Sequence, residues 1–313
     1  MIEYRDEMVG IGQDPEYFIL KRAHEVLAGP SPAFVGHDPT LRAGCNLCQH
    51  IADPATSLSS LRVLISGWPG GGKTVFPGAL VSAVNKGSGP NQQGWPYGYV
   101  LIKCARMATS LTVGAVLNRL EDVESFLRRL DSAALVTFDE LDALAPGRSA
   151  DPALLRLTMW VMQFLEAHPL PVPTVILGIT NDPLKVDMAV RDRFQADLYF
   201  SPLDDSGLRQ ILDDHGVREP GEVLKELHQR SPGCLLTGRT IGQAVEIVSD
   251  LIDVKTAPPK EIADLLFIFV TPVDEKEIRE YERDQRHRME KSRLFIRTWD
   301  KQRGRPFDRG GLS

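Results

Sequence analysis

Between Phe34 and Pro202 short unbroken apolar runs alternate with stretches of helical period. The runs "LRVLIS" (61–66), "YGYVLIKC" (97–104), "AALVTF" (133–138) and "PTVILGIT" (173–180) are continuous where a half-exposed strand would alternate. They predict strands of a parallel α/β sheet buried on both faces. A shorter fifth, "LYFSP", begins at Leu198. Apolar residues spaced three and four apart in "LTVGAVLNRLEDVESFLRRL" and "ALLRLTMWVMQFLEAH" predict helices between the strands. After Leu203 the strand pattern stops, and "DSGLRQILDDHG", "GEVLKELHQRS" and "TGRTIGQAVEIVSDLIDV" predict a small all-α domain. The chain then divides into an N-terminal helical extension (1–33), a large α/β domain (34–202), a helical domain (203–273) and a charged C-terminal helix and tail (274–313). The extension is expected to hold one helix, "DPEYFILKRAHEVLAG", ended by the breaker "PSP".

Composition narrows the classes of partner. A hydrophobic content of 42% with 25% charged residues is that of a soluble globular protein with a sizeable core. The net charge of −6 opposes a general affinity for nucleic acid or an anionic membrane. Glu282 to Arg309 nevertheless carries ten Lys/Arg against five Asp/Glu, so this tail could touch phosphate or an acidic partner. No apolar stretch reaches the ~20 residues that cross a bilayer. "LLFIFV" (265–270) is expected in the core, and the first ten residues lack an apolar leader segment, so a cytoplasmic location is expected. Cys45 and Cys48 in "GCNLC" read as two small buried thiols at i and i+3 of a helix, with Cys104 and Cys234 in the core.

The octapeptide "GWPGGGKT" fits G-x-x-x-x-G-K-[ST] in full and sits between a predicted strand and a predicted helix. Pro69 to Val75 form the candidate nucleotide loop. Gly70, Gly71 and Gly72 let successive N–H groups curl around phosphates, where a Cβ would obstruct them. Lys73 supplies a charge for the β- and γ-phosphates, and Thr74 a hydroxyl for Mg²⁺. A helix beginning near Gly72 would point its positive end at the same anion. Pro77 would fall in that helix's second turn and is expected to kink it.

The strand "AALVTF" ends in Asp139 and Glu140, where α/β sheets place their ligands. Asp139 is the candidate Mg²⁺ ligand, and Glu140 is placed to polarise an attacking water. "PTVILGIT" ends in Asn181, whose amide could orient that water; read alone, Asn-Asp before Pro183 is a turn. Arg191 and Arg193 precede the short fifth strand. One of them could reach a neighbouring subunit's γ-phosphate, although read alone they are a solvated pair.

These segments, in this order, resemble the AAA+ ATPases. "GWPGGGKT", "VTFDELDALAPGRS", "GITNDPLKVDMAVRDRF" and "LYFSPLDDSGLRQIL" are similar to Walker A, Walker B, sensor 1 with the second region of homology, and the entry to the lid. The likeness runs from about Phe34 to Val254 and is nearest the classical AAA clade, including katanin, spastin and the ESCRT-disassembly enzymes. It implies a P-loop sheet with a helical lid, ATP and Mg²⁺ as cofactors, Glu140 and Asn181 as catalytic residues, and Arg193 before Arg191 as a trans-acting finger. Val35 and Gly36 would clasp adenine. It further implies a ring, usually hexameric, acting on a protein substrate or adaptor, with no membrane.

Three segments depart from that pattern. Trp68 stands where Pro is usual, and Gly71 where Thr is common. The central-pore segment "ATSLTVGA" offers only Leu111, Thr112 and Val113 and no aromatic. The lid reads "LLTGRTIGQAV", with Arg239 placed like a sensor 2 arginine, as in HORMA-protein remodellers. The expected activity is therefore Mg·ATP hydrolysis that remodels or disassembles a protein. The rival on the same fold is an ATP-dependent scaffold or switch, a ring or filament that could assemble on DNA, with slow turnover. A small-molecule kinase is opposed by Asn181, the paired arginines and the helical lid.

Overall fold

The computed structural model describes residues 16–29, 34–53, 60–87, 96–147, 151–166, 172–232, 234–270, 272–274 and 276–283. The expected breaker at 30–32 and all but the first two residues of the basic tail lie outside them. Six strands form one sheet: β1 Phe18–Lys21, β2 Ser60–Gly67, β3 Tyr97–Lys103, β4 Ala133–Asp139, β5 Thr174–Ile179 and β6 Ala196–Phe200. Their order is β1-β3-β4-β5-β2-β6, and every pairing is parallel except that of β1 with β3. All five predicted strands are present within two residues of their expected starts. The middle ones are buried at nearly every position, as a sheet covered on both faces requires.

The N-terminal expectation needs correction. Phe18 to Lys21 is a strand, and only Ala23–Ala28 (α1) is helical. Phe18 and Leu20 point into the core while Ile19 and Lys21 are half-buried, a period of two hidden inside an apolar run short enough to pass for helix. Antiparallel pairing with β3 also covers an edge that would otherwise be open.

One face of the sheet is covered by α2 (Asp38–Ala52) and α3 (Phe76–Gly87), the other by α4 (Cys104–Ser110), α5 (Val113–Leu127) and α6 (Pro152–Glu166). Cys48 is buried on α2 and Cys45 half-buried. The short α7 (Met188–Arg191) leads into β6. A third core belongs to residues from Leu203 to Val270, built from α8 (Asp205–Asp214), α9 (Pro220–Arg230), α10 (Gly238–Leu251) and α11 (Pro259–Phe269). A two-stranded antiparallel ladder, β7 (Cys234–Leu235) with β8 (Val273–Asp274), leads on to helical residues 276–283. "LLFIFV" is only partly core: Ile262, Leu266 and Val270 face inward at helical spacing, whereas Phe267, Ile268 and Phe269 are exposed.

Candidate functional site

Parallel strands that start together also end together, and here the register aligns four carboxyl ends. Phe138 of β4 pairs with Gly178 of β5, Ile179 of β5 with Ile65 of β2, and Gly67 of β2 with Phe200 of β6. The loop after β2, the acidic pair after β4 and Asn181 after β5 therefore meet along one edge of the sheet. Sequence positions 67–75, 139–140 and 181 become neighbours for this reason alone.

In the loop, Gly70 and Gly72 have φ of +81° and +88°, a conformation that a side chain would strain. Lys73 is only 5% exposed, and its Nζ donates to the carbonyls of Gly67 and Trp68, each at 2.8 Å. Burial pulls its pKa down to about 8, against the pull of Asp139. Thr74 Oγ1 donates to Asp139 Oδ1 at 3.3 Å, joining the loop to the end of β4. Burial, and then repulsion from Glu140, raise the Asp139 pKa, while Thr74 and Lys73 oppose the rise. A loop free of β-carbons, a buried ammonium resting on backbone carbonyls and a hydroxyl beside a carboxylate fit a polyphosphate with Mg²⁺, a cation that takes oxygen ligands.

Glu140 is exposed and stands at φ 56°, ψ 50°, the left-handed region. Such a conformation is costly for a residue with a Cβ, and outliers of this kind gather at functional sites. The backbone then turns through a single 3-10 turn, Leu141–Ala143. Asp142 Oδ1 accepts from Thr180 Oγ1 at 2.7 Å, tying the acidic turn to the end of β5. Asn181 is exposed, and its carbonyl accepts the hydroxyl of Tyr281. The regular span of α3 begins at Phe76, after turn residues 73–75, and the Phe76 N–H already bonds the Gly72 carbonyl at 3.0 Å in the helical pattern. The next bond of that pattern, from residue 77 to the Lys73 carbonyl, is one that a proline cannot donate, so Pro77 removes a helical hydrogen bond.

The segment around Val35 and Gly36 is adjacent to the lid: a Cβ on Gly36 would lie 2.7 Å from Leu203 Cδ2 and 3.2 Å from Gly207 Cα. Val35 is half-buried. His37, buried at 3% exposure, bonds the Gly71 carbonyl at 3.1 Å, and its ring packs with Phe34 and Phe200. From the lid, Thr237 caps α10, and the exposed Arg239 has its Cβ 3.1 Å from where a Cβ on Gly70 would lie. The start of α10 therefore rests on the phosphate loop.

The two arginines differ. Arg191 is 7% exposed, its Nε and Nη1 have no hydrogen-bond partner, and burial lowers its pKa. Arg193 is half-buried, with Nη2 on Glu166 Oε1 and Nη1 on the Ala189 carbonyl, each at 2.5 Å. Neither guanidinium belongs to the Lys73–Thr74–Asp139 group of its own chain. His37, Asp142 and Tyr281 are the site neighbours that sequence reasoning missed. The first two had a local signal, standing next to Gly36 and within "DELD". Tyr281 had none.

The family model of the ATPase family associated with various cellular activities (AAA) matches residues 63–202. A 26S proteasome regulatory subunit homologue of Methanocaldococcus jannaschii, MJ1494, is 26% identical over 186 residues, 57% of this chain. The chain spans about half the length of that relative, 46% of it. The crystal structure of the FIGL-1 AAA domain in complex with ADP superposes with a TM-score of 0.61 at 18% identity, over 87% of this chain and 93% of that one. The E. coli MS115-1 HORMA:CdnC:Trip13 complex contains a chain that superposes at 0.58, also 18% identical, over 83% and 97%. These likenesses establish the fold. The family match begins inside β2 and stops one residue short of the lid core, so it takes in the whole nucleotide edge of the sheet.

Proposed function

We propose that the chain binds Mg·ATP at the β2–β4–β5 edge, hydrolyses it within a ring oligomer, usually a hexamer in this family, and uses the cycle to remodel or disassemble a protein partner in the cytoplasm. The observation that carries this reading is the convergence at the strand ends: Thr74 bonded to Asp139 at 3.3 Å, with buried Lys73 and left-handed Glu140 beside them. Lys73 would leave its backbone carbonyls for the β- and γ-phosphates. Thr74 and Asp139 would hold Mg²⁺, which supplies charge neutralisation at the phosphates. Glu140 would take the proton of a water attacking the γ-phosphorus, and the amide of Asn181 would orient that water. The bond to the β-phosphate oxygen breaks, leaving ADP and inorganic phosphate. Arg193 of the next protomer would stabilise the transition-state charge, which requires release from Glu166. Arg239 and Thr237, already against Gly70, would carry the change into the lid. A protein client is supported by the structural neighbour in the HORMA:CdnC:Trip13 complex. Among the described residues no helix is long and apolar enough to cross a membrane. Glu140→Gln tests the reading: the variant should bind ATP and assemble but lose turnover, and undiminished hydrolysis overturns it.

A second reading, an ATP-dependent scaffold or switch with slow turnover, is favoured by the expected pore segment. Leu111 and Val113 pack against the core, and Thr112 caps α5, so this turn offers little to grip a threaded chain. Measuring ATP hydrolysis with and without DNA separates the two, since assembly on DNA should stimulate only the scaffold.

A further inference from the structure

The helical residues 276–283 reach the nucleotide edge at three places. The ring of Tyr281 meets that of Trp68 edge-on, centroids 5.0 Å apart and planes at 89°. The Tyr281 hydroxyl donates to the Asn181 carbonyl. One residue further on, Glu282 Oε1 accepts from the Tyr199 hydroxyl at 3.1 Å. Trp68 follows β2, Asn181 follows β5 and Tyr199 lies in β6, so the helix spans the carboxyl ends of three adjacent strands, β5-β2-β6. Ile278, buried at 2% exposure, stands at i to Tyr281 at i+3 and Glu282 at i+4, so one face of the helix makes all these contacts.

Two features make this more than the docking of a chain end. Trp68 is the loop's departure from the family's usual Pro, and the ring it packs against is Tyr281. The Tyr281 hydroxyl also holds the backbone of the very residue whose amide is proposed to orient water. Burial, and then Asp182, push the Tyr281 pKa up to about 12, so the phenol remains a neutral donor.

We propose that Tyr281 is a positioning residue of the nucleotide site: it fixes the Trp68 turn and the Asn181 backbone relative to each other, and so couples the C-terminal helix to the bound nucleotide. This rests on the reading of the loop and of Asn181 given above. Coupling of this kind is reciprocal, so a nucleotide at the loop must alter the stability of helix 276–283, and whatever binds that helix must alter the nucleotide site.

The test uses the full chain as wild type, Tyr281→Phe, Tyr281→Ala and Glu140→Gln. Tyr281→Phe keeps the ring on Trp68 and removes only the hydroxyl. It should lower kcat about tenfold, as loss of a group that orients a site residue does, with KM for Mg·ATP little changed. In hydrogen exchange, Mg·ADP should slow the amides of both 70–75 and 276–283 in the wild type, and only those of 70–75 in Tyr281→Ala. A wild-type kcat in Tyr281→Phe overturns the proposal, and so does protection of 70–75 without a response at 276–283. No protection of 70–75, or full turnover in Glu140→Gln, sinks the nucleotide reading itself.

Discussion

Replacing Glu140 with Gly should make the protein more stable and inactive at once. Glu140 holds φ 56° and ψ 50° with an exposed side chain, so its backbone strain is not offset by burial. The left-handed conformation costs an L-residue roughly 1–2 kcal/mol, which Gly avoids. Gly also makes the unfolded chain more flexible, at a cost of about 0.4–1 kcal/mol. The difference leaves a net gain on the order of 1 kcal/mol, and for a domain of this size that raises Tm by about 2–4 °C. Glu140→Gln keeps the Cβ and hence the strain, so its stability should stay within about 0.5 kcal/mol of the wild type. Both variants lose the proton acceptor and should lose about 10²–10⁴-fold in kcat. Thermal unfolding of the three proteins without nucleotide, beside a phosphate-release assay, measures both effects. Stability unchanged from Glu140→Gln would show that the left-handed backbone carries no strain. Retained turnover in Glu140→Gly would show that the carboxylate is not the base.

Other perturbations reach the remaining parts of the site. Lys73 has its pKa lowered to about 8, so in the free protein it loses its proton as pH rises through that value, and a bound polyphosphate restores it. Calorimetry of Mg·ADP binding in two buffers should show uptake of about half a proton at pH 8 and none from this group near pH 6, with Lys73→Met abolishing the uptake; equal uptake at both pH values refutes it. Gly36→Ala puts a Cβ at φ +75° and 2.7 Å from Leu203 Cδ2, so it should lower Tm by several degrees and weaken Mg·ADP binding; an unchanged Tm would refute the close approach. Asp197 is pushed up to about 7 by burial, against Arg191, so ionising it opposes folding. Its contribution is fully present below pH 4 and lost as pH rises to about 7, and over that range the stability of Asp197→Asn relative to wild type should increase. Mixing Arg193→Ala with Glu140→Gln chains, each inactive alone, should restore activity at about a quarter of the interfaces of a random ring; no recovery would show that Arg193 does not act in trans.

What was legible in the chain was whatever lies within a few residues of itself. The buried runs 61–66 and 133–138 announced strands because a sheet covered on both faces tolerates nothing else. The loop 67–75 and the pair 139–140 stood out as candidates because small residues and fixed charges follow there in tight succession. What was not legible depends on pairings across the chain. "FIL" in residues 18–20 became a strand because β3 had an edge to cover, a fact held about 80 residues away. Trp68 looked anomalous because its partner, Tyr281, lies in a segment whose sequence reads as solvated charge.

The arginines show the same limit at the level of the assembly. A finger acting in trans must be held ready without being free to collapse onto its own site. On the proposed reading, the carboxylate of Glu166 on α6 and the Ala189 carbonyl on α7 serve this end for Arg193, both outside the Lys73–Thr74–Asp139 group. Glu166 is 58% exposed, so the ion pair is screened and weak, worth about 1 kcal/mol or less. A γ-phosphate presented by a neighbour carries more negative charge in a drier setting and can take the guanidinium away. Arg191 has no such route: it is 7% exposed, its Nε and Nη1 are unpartnered, and extracting it would open the packing around α7. Of two arginines that the sequence presents as equivalent, Arg193 is the one held by a half-exposed carboxylate, and Arg191 is the buried one.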